Sequence, residues 1–162
     1  MKKLLLLITF AIVVAACSSI ECPLNNTVYA NYGLYKADGR PDTLSDTLTI
    51  FTKRHTPDED TVKLNRYVNA KTFSLPMSYA GGTDVLIFEM RDTLHNVVYD
   101  TITITKTNTP HFESTECGPA YYHTIEGVST TNHKIESVTI NDTEVNHDGT
   151  KEHIRILFKS GD

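Results

Sequence analysis

Apolar and polar residues alternate along most of this chain with a period of two. In Asp46 to Lys53, Leu48 and Ile50 fall on one side, and Thr47, Thr49 and Phe51 on the other. Val28, Ala30, Tyr32 and Leu34 share one face of Val28 to Tyr35, and Ile154, Ile156 and Phe158 share one face of His153 to Phe158. Successive side chains of a strand point to opposite faces, so this alternation predicts half-buried strands. Val62–Tyr67, Val85–Met90, Val97–Lys106, Ala120–Val128 and Lys134–Ile140 also read as strands, and a short segment ends at Val145. Phe73 and Leu75 alternate ahead of Pro76, whose missing N–H places that segment at a sheet edge or a strand end. Asp38-Gly39, Gly81-Gly82, Asp92–Asn96 and Asp148-Gly149 mark turns, and His55–Asp60, with Pro57, marks a loop. Asn108-Thr109-Pro110 is expected to break the Val97 strand, and Asn141-Asp142 to make a tight two-residue turn. The pattern predicts an all-β chain of about eight short strands: a single β-sandwich, immunoglobulin-like or a related Greek key. An open barrel is the alternative.

The start of the chain departs from this pattern. Leu4–Ala16 is an apolar run behind Lys2 and Lys3. It is too short for the ~20 residues of a membrane span and matches the ~7–15 residue apolar region of a signal peptide. Val14-Ala15-Ala16-Cys17 resembles a bacterial lipobox. That resemblance implies cleavage before Cys17 and lipidation of its sulfur, and it divides the chain into a signal peptide (1–16), a lipidated N-terminus with a short tether (17–22) and a β-sandwich domain (23–162). Each buried methylene of such a lipid contributes ~0.8 kcal/mol to membrane attachment. Ser18 rather than Asp after the cysteine resembles the outer-membrane sorting pattern of Gram-negative lipoproteins. No acidic run follows Cys17, which favours the periplasmic side over the cell surface.

Composition narrows the partners. The formal charge is −5 and becomes more negative once Lys2 and Lys3 are removed. Nucleic acid wants clustered Lys and Arg, so it is not an expected partner. There is no tryptophan, but there are eight tyrosines and 23 threonines, residues that favour a pleated surface. With lipid on Cys17, Cys22 and Cys117 remain as an even pair. Export would place them in an oxidising compartment, where a disulfide is the default and two separate thiols the alternative.

No catalytic signature is present: G-x-S-x-G, H-E-x-x-H and the phosphate-binding glycine loop are all missing. Neither an enzyme nor a cofactor is expected. Five of seven histidines follow position 110 (His111, His123, His133, His147 and His153), without zinc-ligand spacing, so they are expected in exposed loops and no metal is expected. Asp-Thr-aliphatic triplets occur five times, centred on Thr43, Thr47, Thr61, Thr93 and Thr101. They resemble the O-glycosylation acceptor sequence of exported proteins in Bacteroidales-type bacteria, with Thr43 and Thr93 the most loop-like. A structural cause gives the same triplet: Asp caps a turn, Thr starts a strand and the aliphatic residue fills the core. Asp46-Thr47-Leu48-Thr49-Ile50 is echoed by Asp100-Thr101-Ile102-Thr103-Ile104, which suggests two equivalent strands.

The lipobox, Cys22-Pro23-Leu24-Asn25-Asn26, Leu75-Pro76-Met77-Ser78-Tyr79, the two echoed segments, His111 to Gly118 and the ending Glu152-His153-Ile154 together resemble a family of Bacteroidales lipoproteins known only as a domain of unknown function. The resemblance implies a lipid-anchored extracytoplasmic β domain and transfers no catalytic residue. Two functions are expected. The first is a structural or protein-interaction module that binds another envelope protein. The alternative is a binder of glycans or small molecules, using Tyr32 and Tyr35 or Tyr121 and Tyr122 as aromatic surfaces.

Overall fold

The computed structural model describes residues 26–53, 60–114 and 116–159. Cys17, Cys22, the signal peptide, the tether and most of the His55–Asp60 loop lie outside these residues. Ten strands and no helix make up the described chain: β1 (Tyr29–Lys36), β2 (Thr47–Lys53), β3 (Asp60–Tyr67), β4 (Thr72–Pro76), β5 (Thr83–Arg91), β6 (Val97–His111), β7 (Ala120–Thr130), β8 (Ile135–Ile140), β9 (Glu144–Val145) and β10 (Ile154–Phe158). They form a four-stranded sheet, β4-β1-β10-β8, and a six-stranded sheet, β3-β2-β5-β6-β7-β9. The all-β sandwich is therefore observed, with ten strands rather than about eight. Its centre holds a parallel pair, β1 beside β10, and every other pairing is antiparallel.

The period-two alternation becomes the core directly. Ala30, Tyr32 and Leu34 of β1, Ile154, Ile156 and Phe158 of β10, and Phe73 and Leu75 of β4 are buried. Facing them are Leu48 and Ile50 of β2, Leu86, Phe88 and Met90 of β5, and Ile102 and Ile104 of β6. Tyr32 stacks on its cross-strand partner Phe73 at 4.9 Å, and Phe73 meets Phe88 of the other sheet at 6.1 Å. The second of these contacts crosses the sandwich. Pro76 ends β4, an edge strand, as its missing N–H requires.

Two expected breaks are absent. β6 runs through Asn108-Thr109-Pro110 to His111, and Pro110 sits opposite Tyr121 of β7. β5 pairs with β6 only as far as Thr105, so beyond that residue β6 has one neighbour and a free edge that tolerates proline. Asn141-Asp142 is not a hairpin turn either. There the chain leaves β8 in one sheet and enters β9 in the other, where β9 pairs with β7.

The echoed segments do occupy equivalent places. β2 and β6 flank β5 and run in the same direction. The aspartate at the head of each is buried, and both hold Lys134: its Nζ donates to Asp46 Oδ2 at 2.8 Å and its main-chain N–H to Asp100 Oδ2 at 2.8 Å. Asp100 also accepts from Thr131 Oγ1 and from the N–H groups of His133 and Ile135. Burial alone would raise this carboxyl, but the N–H donors of Ile135 and His133 and the Thr131 hydroxyl outweigh it and hold it below the ordinary range. The echo thus marks two anchors of the β7–β8 crossover.

Candidate functional site

The strands divide the molecule into two ends. One end carries the first described residue. Asn26 Nδ2 donates to Gly118 O at 3.2 Å, and Met77 N–H to Val28 O at 3.1 Å. Cys117, the residue before Gly118, is buried and disulfide-bonded. The other two cysteines, Cys17 and Cys22, lie outside the described residues. The same end exposes Tyr79 (68%) and Phe112 (60%). Tyr79 stacks on Tyr121 at 5.0 Å, and His111 stacks on Tyr122 at 4.2 Å with His147 edge-on to that ring at 5.5 Å. Tyr122 and His111 are diagonal neighbours across β6 and β7, the spacing at which large side chains meet on one face.

A buried cation fixes the loop that bears Tyr79. The Lys106 side chain is fully enclosed; its Nζ donates to Ser78 O at 2.5 Å, Gly81 O at 2.8 Å and Asn108 Oδ1 at 3.3 Å, and lies 3.5 Å from Asp84 Oδ1. Asn108 Nδ2 adds bonds to Gly81 O and Tyr79 O. Asp84 is pushed above the ordinary carboxyl range by burial, against the pull of Lys106. His123 meets Asn108 Oδ1 at 2.7 Å through Nδ1, which must donate because that oxygen is an acceptor. Burial, followed by the neighbouring Lys106 charge, pushes His123 down to about 4. This cluster is structural machinery: all its donors and acceptors point inward.

The opposite end holds a cleft of about 280 Å³ on the outer face of the six-stranded sheet, lined by Thr47, Thr49, Arg66, Glu89, Arg91 and His95. Its bottom row follows the register Thr49–Glu89–Tyr99 across β2, β5 and β6. Glu89 Oε1 accepts from Arg91 at 3.0 Å and Glu89 Oε2 from the Tyr99 hydroxyl at 3.1 Å.

The residues singled out from sequence scatter among these regions. Tyr32 is 2% exposed in the core, where burial pushes its phenol well above the ordinary value, so it faces no ligand. Tyr35 is on the outside, but its hydroxyl is held by Glu152 and its ring lies under Arg155 at 5.2 Å. Tyr121 and Tyr122 are adjacent in β7 and therefore point to opposite faces. The four tyrosines do not form one surface. Thr43 and Thr93 are exposed, whereas Thr47, Thr61 and Thr101 are half-buried in strands. Asp92 caps the Thr93 turn through the N–H groups of Leu94 and Asn96. His123 and His153 are buried in the fold rather than exposed in loops. Among the described residues, no group of three or more His, Cys, Asp or Glu could hold a metal ion.

A family of unknown function, DUF6452, matches residues 47–158, more than half of the chain. The chain belongs to DUF6452. No curated protein and no solved structure matches it. The DUF6452 match starts at β2 and ends with β10, so β1, which pairs with β10 at the centre of the smaller sheet, lies outside it. The DUF6452 region contains the whole cleft, the Lys106 cluster and the exposed aromatic residues of the opposite end. The alternating pattern did not reveal the cleft, because Arg66 and His95 reach it from a bulge and a turn that interrupt the alternation.

Proposed function

We propose that this chain is a lipid-anchored outer-membrane protein, facing the periplasm, whose sandwich is a non-catalytic module that docks another envelope protein through its tether end. One observation carries the reading. Asn26 is bonded beside disulfide-bonded Cys117, at the end that exposes Tyr79 and Phe112. A Cys22–Cys117 bond fits this placement, since Asn26 lies four residues after Cys22 and touches the residue after Cys117. Lipid on Cys17 would then sit five residues from that bond, a reach of about 17 Å at ~3.3–3.6 Å per residue. The exposed aromatics would lie close to the bilayer surface, beside other membrane-anchored proteins. Aromatic side chains are the residues enriched at such interfaces. Thr43 and Thr93, both exposed, are the two triplet threonines open to O-glycosylation.

The test places a photo-crosslinking residue at Phe112, and separately at Leu94 in the β5–β6 turn of the other end, which is 80% exposed. In the native envelope, Phe112 should yield one stoichiometric protein adduct and Leu94 none. An adduct at Leu94 with none at Phe112 would place docking at the wrong end and defeat the proposal.

A further inference from the structure

The cleft at the end of the sandwich opposite Asn26 and Gly118 is built around a cation with no ion-pair partner among the described residues. Between Leu48 and Ile50 the β2–β3 register slips, so two residues, Asn65 and Arg66, stand opposite Thr49. Such a bulge re-aims a side chain, and here it sets Arg66 against the cleft. Arg66 adopts a left-handed backbone, φ 49°, and its N–H reaches Thr49 Oγ1 at 3.3 Å. His95, also left-handed at φ 68°, enters from the β5–β6 turn. Among the described residues the other non-glycine positive-φ positions are Asn69 and Asn132, a residue type that tolerates this conformation; arginine does so at a cost.

The charges inside the cleft do not balance. Glu89 accepts from Arg91 through Oε1 and from Tyr99 through Oε2, which neutralises Arg91 and leaves further lone pairs on the carboxylate. Among the described residues no carboxylate pairs with Arg66, whose exposed guanidinium stands at the rim of a cleft on a protein whose formal charge is −5. A planar guanidinium with a fixed fork of donors matches a carboxylate in two parallel hydrogen bonds. Every lining residue is polar, and Thr47, Thr49 and Glu89 supply hydroxyls and an acceptor between the cationic groups. The volume, about 280 Å³, lies just below the range of pockets for drug-sized ligands and suits a single ring. Tyr99, 49% exposed and next to Glu89 in the register, offers a ring face beside it.

We infer that this cleft binds a carboxylate-bearing sugar residue, with the carboxylate on Arg66, the ring hydroxyls on Thr47, Thr49 and Glu89, and the ring edge towards Tyr99. The site is independent of docking at the tether end and remains open to solvent when that end is covered.

The test is an NMR titration of the full chain with methyl β-D-glucuronide, methyl β-D-glucoside and inorganic phosphate in parallel. The glucuronide should shift the Thr49, Arg66 and His95 resonances and bind at least tenfold more tightly than the other two. Arg66→Gly should abolish binding while leaving the melting temperature equal or higher, because glycine accepts φ 49° freely. Arg66→Lys, which keeps the charge and loses the fork, should bind at least fivefold more weakly. Equal binding of phosphate and glucuronide, equal binding of the glucoside, no binding of any probe, or full binding by a folded Arg66→Gly protein each overturns the inference.

Discussion

His123 and His153 are buried imidazoles fixed as opposite tautomers. His123 carries its proton on Nδ1, donated to Asn108, whereas His153 accepts the Asn31 N–H on Nδ1 at 3.0 Å and must carry its proton on Nε2. Burial lowers both from 6.5, His123 to about 4. A second proton on His153 would confront the Asn31 N–H, and one on His123 would add charge beside Lys106. The unfolded chain therefore binds more protons than the folded one as pH drops below about 6.5, so stability is whole above that pH and is lost on the way down to about 4. His123 alone contributes up to about 3 kcal/mol of this loss at ~1.4 kcal/mol per unit. Asp84, raised by burial, binds its proton more readily when folded and offsets part of the loss at the acid end. Guanidinium titrations at pH 7.5 and pH 4.5 should show a drop of several kcal/mol, and His123→Asn should flatten it; identical stability at the two pH values would contradict these assignments. Part of this was legible in the sequence. Tyr32 shares strand parity with Ala30 and Leu34, so alternation turns it inward; His123 shares parity with Ile125 but reads with the other late histidines as a loop residue, and its burial emerges only in the structure. His153 precedes its strand and its burial depends on β1, far away in sequence, which no local pattern reveals.

Strands are the scale at which the sequence spoke most clearly. Alternation located the elements to within a few residues, because each inward face is a run of Ile, Leu, Val or Phe that must be covered. It could not say which neighbouring segments pair. Ala120–Thr130 and Ile135–Ile140 look like a hairpin around Thr131-Asn132, yet they belong to different sheets. The cause is Asp100, buried 31 to 35 residues earlier in the chain, which gathers Thr131, His133, Lys134 and Ile135 and turns the chain across the sandwich. Asp100→Ala would leave those donors without their acceptor, at ~1–3 kcal/mol for each buried group. A loss of about 3 kcal/mol or more is expected in urea denaturation with an unchanged m-value. A loss under about 1 kcal/mol would mean that β8 is placed by packing alone. Pro110 teaches the complementary lesson: proline breaks a strand only where both edges are paired, and pairing is not written locally.

Across the whole molecule, the two ends of the sandwich differ in chemistry. One end joins the start of the described chain to Gly118, beside Cys117, and exposes Tyr79 and Phe112; the other carries the polar cleft with Arg66. Val14–Cys17 and an even cysteine pair motivate the proposed lipid anchor, but nothing in the sequence says which end of the sandwich such an anchor would hold. The proposed end is chosen because Asn26 lies against Gly118. The central claim is that lipid and disulfide together hold this end at the bilayer. Mass spectrometry of unreduced protein from the native membrane fraction tests it most directly. The account predicts one peptide that begins at diacylglyceryl-modified Cys17 and is joined through Cys22 to the Cys117 peptide. A Cys117 peptide bonded to Cys17, or an N-terminus that retains Lys2 and Lys3 without lipid, would contradict it.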